Sequence, residues 1–393
     1  MTATHTTHGS TTTVRLHLAF ELGENEWKLA LTVGHGQAPR LRTIPARNVA
    51  MLLTEIANAK RRWRLAPDTP VVSCYEAGRD GFWLHRFLSA QTGIDNLIVD
   101  SSSIEVNRRQ RRAKTDRLDA EKLVNLLIRY HNGEEKVWRV VRVPTPAEED
   151  QRQSARELLA LKDERTQHVN RIKGLLAGHG LQAQVNENFP EQLAALRLWD
   201  ETAVDEELQQ RLRREWARWQ FVQQQIRVLE GERRQQIRQG KAPQIEQVRK
   251  LLQLRGIGLN GSCLLVRELF GWRHIRNRRE LAALVGLTPT PYQSGGSNRE
   301  QGISKAGNRR LRRLLVELAW GWLRWQPNSG LTRWYQARFG NGRRARKIGI
   351  VALARKLLVA LWRYLERGEV PEGASLCDWR IKLGLRPQPA VAG

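Results

Sequence analysis

The chain has 393 residues, a length that predicts two or three domains with room for a large buried core. Lys and Arg number 66 against 40 Asp and Glu, and this net charge of +26 favours a polyanion, above all nucleic acid, over a neutral metabolite as the partner. A hydrophobic fraction of 40% without an apolar run of roughly 18–20 residues argues against a membrane protein.

Residues 1–13 are rich in Thr, His and Ser and are predicted to be a disordered tail. They lack the basic start and the apolar run of a secretory signal, so we expect a cytoplasmic protein. The three cysteines, Cys74, Cys263 and Cys377, lie far apart without a CxxC pair, so neither a disulfide framework nor a zinc cluster has sequence support. We expect reduced and mostly buried thiols.

Residues 14–145 combine strands and helices in an order that predicts a mixed sheet. Val14–Glu21, Trp27–Val33 and Leu41–Ile44 predict a three-stranded meander, and alternating helices and strands follow as far as Val99. Three strands followed by helix–strand repeats are typical of the ribonuclease H-like fold, in which a mixed sheet carries carboxylates on strand ends and on a later helix. We therefore predict an α/β domain of this type.

Residues 146–245 change to a composition dominated by Glu, Gln, Arg, Leu and Ala. Two long helical tracts, Ala147–Ala177 and Asp200–Gln239, are separated by a break that contains Gly, Pro and Asn, which predicts an antiparallel, coiled-coil-like arm. Long amphipathic helices expose an apolar stripe that a second copy of the chain can cover. We therefore expect a dimer contact here rather than a ligand site.

Residues 246–376 are predicted to form a mainly helical domain, and residues 377–393 a terminal tail. The stretch from Trp272 to Arg367 contains 21 Lys and Arg residues but only 4 Asp and Glu, so most of the excess positive charge lies there. The surface for a polyanion is therefore expected in this part of the chain.

Four carboxylates stand at informative positions: Glu21 ends the first predicted strand, Glu76 ends the fourth, and Asp116 and Asp119 lie in KTDRLDAEKL. Asp116 and Asp119 are three residues apart and share one face of a helix, from which they can hold a hard divalent ion together with carboxylates at strand ends. Mg²⁺ is the expected ion, with Mn²⁺ as a substitute, and paired ions of this kind serve phosphoryl transfer. The alternative role for the two aspartates is helix capping.

A basic run stands directly before these two aspartates. Residues 107–117 carry six cations in eleven positions. Cations beside acidic metal ligands would let a nucleic-acid backbone approach the carboxylates without repulsion, whereas the alternative is a solvated segment without a ligand. The cations that precede Asp116 are Arg108, Arg109, Arg111, Arg112 and Lys114.

LLQLRGIGLNGSCLLVREL, residues 251–269, has the pattern of a helix-hairpin-helix with a tight turn at Gly256 and Gly258. Glycines in such a turn let backbone NH groups face a phosphate at a helix N-terminus. A plain helical hairpin packed in the core is the alternative.

A loop rich in Pro, Gly and Ser precedes a strongly basic helix that starts near Asn308. Ser294, Ser297 and Ser304 can each bind phosphate or cap a helix, and one of them is a candidate nucleophile that would hold a cut DNA end as a phosphoserine ester. The cations expected to bind phosphate here are Lys305, Arg309, Arg310, Arg312 and Arg313.

Five segments occur in order along the chain, and the resemblance that they support covers roughly residues 14–365: CYEAGRDGFWLHRFL, KTDRLDAEKL, LRGIG, LAALVGLTPTPYQSGGS and SKAGNRRLRRLL. Together they resemble the DEDD-type insertion-sequence transposases, which are bridge-RNA-guided serine recombinases. The TPxxYxSG and SKxGNxxLRR patterns are highly specific for that family.

The resemblance implies an N-terminal RuvC-like catalytic domain, a coiled-coil arm, a C-terminal transposase domain, and a homotetramer that binds donor DNA, target DNA and a noncoding bridge RNA. It places the acidic tetrad of the family on Glu21, Glu76, Asp116 and Asp119, and the nucleophilic serine on Ser294. The family pattern usually begins with Asp, so Glu21 departs from it by one methylene. The implied function is a recombinase that cuts and rejoins DNA strands through a covalent phosphoserine intermediate.

Two other functions fit the same residues. A Mg²⁺-dependent junction-cleaving nuclease would use the four carboxylates but no serine, and would leave hydrolysed rather than serine-linked DNA ends. A nucleic-acid-binding protein without catalysis would bind equally well after mutation of the carboxylates and would not cleave DNA in Mg²⁺ or Mn²⁺.

Overall fold

The computed structural model describes residues 14–91, 93–104, 116–294, 297–340 and 342–386, with the side chains of all but residues 102, 116, 117, 292–294 and 297–300. The chain divides into two units between Pro144 and Thr145. Residues 1–13 and 387–393, which belong to the predicted tails, and the basic run from Arg108 to Lys114 lie outside the described residues. Among the described residues, none of the helices combines the length and the apolar character that a membrane span needs.

The first unit is built on a mixed sheet of five strands. They are β1 (Leu16–Leu22), β2 (Glu26–Thr32), β3 (Arg40–Pro45), β4 (Val71–Glu76) and β5 (Ile94–Val99), in the order β3-β2-β1-β4-β5. The first three strands pair antiparallel, whereas β4 pairs parallel with both β1 and β5. The structure thus confirms the prediction of an N-terminal mixed-sheet domain followed by a helical region.

Helices cover both faces of this sheet, so β1 is buried on both sides. They are α1 (Val49–Arg62), α2 (Trp83–Ser89) and α3 (Asp116–His131). Phe20 and Trp27 pack with α1 and α2 on one face, whereas Ala19 and Cys74 pack against α3 on the other. The small residues of the second face let α3 lie close to the strands, where the Cys74 thiol donates to the Leu123 carbonyl at 3.9 Å.

The second unit begins with two long antiparallel helices. They are α4 (Pro146–Ala177) and α6 (Glu206–Gln239), and α5 (Phe189–Ala195) lies between them in the chain. A capping box at Thr145 starts α4. The antiparallel direction follows from two contacts between the helices, Lys162 to Glu230 at 2.7 Å and His168 to Glu215 at 2.7 Å, because the later residue of α4 meets the earlier residue of α6.

The rest of the second unit is mainly helical and contains one hairpin. Its helices are α7 (Pro243–Gln253), α8 (Leu259–Leu265), α9 (Arg278–Leu284), α10 (Arg309–Trp325), α11 (Gly330–Phe339) and α12 (Arg343–Arg367), and its strands are β6 (Pro289–Ser294) and β7 (Ser297–Ile303). A π-helical turn, Val266–Phe270, follows α8. The large core of this region includes the fully buried Leu315, Trp322 and Leu357.

Three segments differ from the sequence expectation. The serine-rich segment is a β-hairpin rather than an open loop, and α11 is an additional helix. Residues 377–386, predicted as part of a tail, pack on α7: the Cys377 amide donates to the Gln253 carbonyl at 2.8 Å, and the Arg249 guanidinium lies 4.8 Å from the Trp379 ring. Backbone hydrogen bonds and a cation–π contact hold this segment, and neither produces an apolar periodicity in the sequence.

A buried histidine makes the first unit sensitive to acid. His17 on β1 is 8% exposed, and its ring lies 6.1 Å from that of His131 at the end of α3. Burial, followed by the nearby His131, Arg15 and His35, lowers the pKa of His17 from 6.5 to about 4, although a hydrogen bond with the Thr32 backbone acts in the opposite direction.

We expect His17 to lower the free energy of unfolding of this unit by about 3 kcal/mol as the pH drops from 6.5 to about 4, because the unfolded chain takes up a proton that the folded chain does not. Well above pH 6.5 the effect is absent, since His17 is then neutral in both the folded and the unfolded chain. His17→Phe should reduce the pH dependence by this amount and leave the smaller contributions of His85 and His131, whose pKa values burial also lowers. His274→Gln, at an exposed histidine, should leave the dependence unchanged. Urea midpoints from pulsed hydrogen exchange of β1 peptides measure it, and an identical pH dependence in His17→Phe would contradict the prediction.

Candidate active site and nucleic-acid interface

Glu21 and Glu76 lie side by side at one edge of the sheet. β1 and β4 run parallel and pair as far as Phe20 and Tyr75, so the next residue of each strand is one of the two glutamates. Both glutamates are half-buried, and they line a cavity of about 310 Å³ together with the turn that follows β4. The sequence placed them at strand ends, and the parallel pairing brings those ends together.

The first turn of α3 lies at the same edge. The helix runs antiparallel to β1, because its last residue, His131, lies beside His17 at the start of the strand. From that contact α3 rises about 18 Å back to Asp119, while β1 rises about 13 Å to Glu21. Ala120, next to Asp119, is fully buried in the cluster between α3 and the sheet. Asp119 therefore lies on the part of α3 nearest the strand ends.

Three of the four predicted metal ligands have described side chains. Asp116 begins α3, but its side chain lies outside the described ones. Among the side chains that the structure describes, no three carboxylate, imidazole or thiol groups enclose a cation site. The donor set at this edge nevertheless consists of carboxylates, which are the ligands that Mg²⁺ prefers, so the residues fit the ion in kind.

A further carboxylate, Asp80, lines the same cavity and was not singled out in the sequence. Its side chain is 7% exposed and lies 3.8 Å from the guanidinium groups of both Arg47 and Arg79. Arg79 also pairs with Glu24, another lining residue, at 3.2 Å. The available signal was the GRDG sequence, which starts two residues after Glu76 and sets an acidic residue between glycines.

Ser294 is the last residue of β6 and stands at the tip of the hairpin. It pairs with Ser297 across a connection of two glycines, which is a typical length and composition for a hairpin turn. Its backbone is described, whereas its side chain lies outside the described ones. The six residues of β6 span about 20 Å, so the tip stands well away from the base of the hairpin.

The SKAGN turn, from Ser304 to Asn308, fixes the base of the hairpin. The Ser304 amide donates to the Thr288 carbonyl at 2.9 Å, and the Asn308 amide donates to the Leu284 carbonyl at 2.9 Å. Gly307 has φ of +98°, and a Cβ there would lie 2.4 Å from the Leu284 oxygen, so this position requires glycine. The SKAGN turn is therefore hydrogen-bonded to the end of α9 and to the base of the hairpin, and it leads directly into α10.

Two of the cations predicted to bind phosphate contact the protein itself. Arg312 is half-buried, and its guanidinium donates to the Val285 carbonyl at 3.1 Å. Arg313 pairs with Asp163 at 3.2 Å and with Glu317 at 3.1 Å, and these hydrogen bonds raise the pKa of Arg313. Both guanidinium groups therefore already bind groups of the protein itself, which leaves them less able to bind phosphate.

Arg309 and Arg310 are exposed at the start of α10, and Lys305 is exposed in the turn before it. Replacing both arginines by Gln is expected to weaken nucleic-acid binding and to reduce the slope of log K against log salt by about one for each phosphate that is no longer neutralised. Arg312→Gln is the control and should leave the slope unchanged, because the Arg312 guanidinium donates to the Val285 carbonyl rather than to a phosphate. Anisotropy titrations at several salt concentrations measure the slopes, and an unchanged slope in the double variant would remove this turn from the interface.

A second basic helix start lies at the same end of this region. α10 and α12 pack on each other and run parallel, because the segments that follow them meet: Gly330, the first residue of α11, donates to the carbonyl of Glu372, which lies five residues past α12, at 2.8 Å. α11 returns antiparallel to α12, with the Tyr335 hydroxyl donating to the Arg346 carbonyl at 3.4 Å. The sequence revealed the charge of this region but did not assign these residues. The cations of the first turns of α12 are Arg343, Arg344, Arg346 and Lys347.

The predicted helix-hairpin-helix corresponds to α7, a turn and α8. Gly256 has φ of +86°, and a Cβ there would lie 3.2 Å from a side chain of α10, so packing requires this glycine. Lys382 donates to the carbonyls of Leu254 and Ile257 at 2.7 and 2.9 Å. Gly258 is exposed and precedes α8. The carbonyl side of the turn therefore faces protein, while Gly258 stands open to solvent.

Comparison with known proteins provides an assignment. Residues 248–334 match the model described as "Transposase IS116/IS110/IS902 family". "Putative transposase y4rJ" of Sinorhizobium fredii is 42% identical over 375 residues, which cover 91% of this chain and 94% of that protein. The transposase for insertion sequence element IS1328 of Yersinia enterocolitica is 28% identical over 58% of this chain and 66% of that protein. The one for IS1111A of Coxiella burnetii is 26% identical over 56% and 60%.

The chain belongs to the IS116/IS110/IS902 family of transposases, since a relative of 42% identity matches it over nearly the whole length of both proteins. This confirms the family predicted from the motifs. Membership makes the chain one of a class of enzymes that cut and rejoin DNA. The matched residues 248–334 contain the hairpin, the SKAGN turn and α10.

Proposed function

We propose that the chain recombines DNA through a covalent ester on Ser294, with a Mg²⁺-binding group of carboxylates and a guide RNA. The observation that carries the proposal is the adjacency of Glu21 and Glu76 at paired strand ends, with the first turn of α3 at the same edge. That turn contains Asp116 and Asp119. Converging carboxylates in a protein of net charge +26 suit metal-assisted phosphoryl transfer.

The four carboxylates would hold Mg²⁺, or Mn²⁺ in its place, through hard oxygen ligands. When bound, the ion polarises the scissile phosphate and offsets the charge that develops on the leaving oxygen. Cations of the protein neutralise the remaining phosphates, and the basic run from Arg108 to Lys114, directly before Asp116 in the chain, would bring the backbone to the carboxylates.

In the proposed reaction the Oγ of Ser294 attacks the phosphorus while its proton passes to a base. The bond from phosphorus to one deoxyribose oxygen breaks, and that oxygen takes up a proton and leaves as a hydroxyl. The phosphoserine ester keeps the strand activated, so a hydroxyl of another strand can attack it and reseal the DNA. The reaction requires the hairpin tip and the carboxylates to meet at one phosphate, within one chain or between copies of a homotetramer.

The guide function of a bridge RNA is part of the proposal on the strength of the family resemblance. The exposed cations Lys305, Arg309 and Arg310 suit phosphate contacts, which position a nucleic acid but read no sequence. A transposase that selects its target therefore needs a separate source of sequence information, and base pairing with an RNA supplies one.

The test combines the purified protein with RNA transcribed from the flanks of its gene, donor DNA, target DNA and Mg²⁺. The expected products are recombinant junctions that require the RNA, and a protein–DNA adduct whose linked peptide contains Ser294. Hydrolysed ends without an adduct would identify a nuclease instead. Binding without cleavage in either Mg²⁺ or Mn²⁺ would identify a binding protein.

A further inference from the structure

A buried carboxylate connects three elements of the second unit. Glu268, in the π-helical turn after α8, is 1% exposed. Arg156 of α4 donates to both of its oxygens, at 2.6 and 3.2 Å, and Arg152 of α4 lies 3.7 Å from Oε2. The Nδ2 of Asn308 donates to the same Oε2 at 3.2 Å. One carboxylate therefore joins α4, the π-helical turn and the residue that precedes α10.

Glu268 is held in its charged form. Burial alone would raise the pKa of Glu268, but the hydrogen bond from Arg156 and the charges of Arg156, Arg152 and Arg310 outweigh burial and hold the pKa below its usual value. Burial of a charged carboxylate costs desolvation free energy, which here is offset by ion pairs and hydrogen bonds to both oxygens of Glu268. Such a network holds the side chain and its partners in one rigid arrangement.

Asn308 connects Glu268 to the base of the hairpin. Its Oδ1 accepts hydrogen bonds from the amides of Arg310 and Leu311 and so caps α10, while its own amide is bound to the Leu284 carbonyl at 2.9 Å. Asn308 also ends the SKAGN turn, whose first residue, Ser304, is bonded to the base of β6. The chain of contacts thus runs from α4 through Glu268 and Asn308 to the base of the hairpin.

The hairpin amplifies small movements at its base. Ser294 lies about 20 Å from that base along β6. A tilt of only about 3° at the base would therefore displace the tip by about 1 Å, and a displacement of that size can slow a positioned reaction by about 10²-fold.

We propose that Glu268 is a positioning residue, which holds the hairpin bearing Ser294 in its reactive orientation by joining the cap of α10 to α4. This inference rests on the proposed function of Ser294, although the orientation of the hairpin can be measured without any reaction. A carboxylate that only stabilised the fold would affect melting and leave the hairpin and the reaction rate of the folded protein unchanged.

The test uses Asn308→Ser, because serine still caps a helix but is too short to reach Glu268 as asparagine does. The matched control is Asn277→Ser, since Asn277 caps α9 and its side-chain hydrogen bonds, to the amides of Arg279 and Glu280, stay within its own helix. We expect Asn308→Ser to form the DNA adduct at least about tenfold more slowly than the control, with similar melting temperature and DNA affinity. Glu268→Gln should behave in the same way if it folds.

A second measurement does not depend on activity. Spin labels at Asn298→Cys, near the tip of the hairpin on β7, and at Glu157→Cys, an exposed position on α4, with Cys377→Ser to remove the half-buried native thiol, report the distance between hairpin and α4. We expect one narrow distance distribution in the parent and in Asn277→Ser, and a broader one in Asn308→Ser. A distance distribution in Asn308→Ser that equals the parent distribution would overturn the positioning role, even if the parent forms the adduct through Ser294. If the distance distribution of Asn308→Ser broadens as expected while neither the parent protein nor any variant forms an adduct, the positioning role stands and the proposed function of Ser294 fails.

Discussion

Ser294→Ala is expected to abolish the covalent protein–DNA adduct and recombination while nucleic-acid binding is retained. Alanine removes only the oxygen that would form the ester, so the rate of adduct formation should fall by at least about 10³-fold. The measurement uses DNA with a nick beside the scissile phosphate. Because the released fragment then diffuses away, the ester cannot be resealed and accumulates as a labelled protein band.

Two neighbouring serines are matched controls. Ser297 pairs with Ser294 across the hairpin, and Ser304 is exposed at its base. Ser297→Ala and Ser304→Ala should form the adduct within about threefold of the wild-type rate, because neither is at the position of the proposed nucleophile. An adduct that persists in Ser294→Ala, or a linked peptide that lacks Ser294, would refute the assignment.

The sheet of the first unit could be predicted from the sequence because its strands carry local signals. β1 is buried on both faces, with Leu18 and Phe20 on one side and Ala19 on the other, so most of its residues are apolar. The Gly-Glu-Asn-Glu turn between β1 and β2 and the order of strands and helices then indicate a mixed sheet. These are features of neighbouring residues, which a single sequence displays.

The hairpin could not be predicted in this way. β6 contains Pro289 and Pro291, and the pairing shifts register between them. Two strands without an apolar face leave no alternating pattern in the sequence, and prolines argue against a strand. The pairing is made by backbone hydrogen bonds around a Gly-Gly connection, so the sequence indicated only that the segment turns.

The residue types of the candidate site could be predicted, but most of their contacts could not. Arg156 and Glu268 are 112 residues apart, and Arg313 and Asp163 are 150 residues apart, so periodicity within one element cannot reveal either pair. Four arginines in one basic helix start look equivalent in the sequence. In the structure they have different partners, because Arg312 donates to a carbonyl and Arg313 pairs with two carboxylates.

Neutralising Glu76 or Asp119 is the other change with a large expected effect. Glu76→Gln and Asp119→Asn keep the size of the side chain and remove its charge, so a divalent ion loses both a ligand and charge balance. Strand cleavage should fall by about 10³-fold or more, while affinity for DNA and RNA is retained. Glu24→Gln is the control, since Glu24 lines the same cavity but is paired with Arg79. Full cleavage by Asp119→Asn would exclude Asp119 from the metal site.

Glu21→Asp is the graded version of the same experiment. Glu21 and Glu76 stand at paired ends of neighbouring strands, so an ion between them would be reached by two side chains of equal length. Shortening one of them withdraws its carboxylate by about 1.5 Å, which an ion with strict octahedral geometry tolerates poorly. We therefore expect cleavage to slow by about tenfold and to require a higher Mg²⁺ concentration for half of its maximal rate. A faster rate in Glu21→Asp would show instead that Glu21 weakens a site whose geometry suits aspartate.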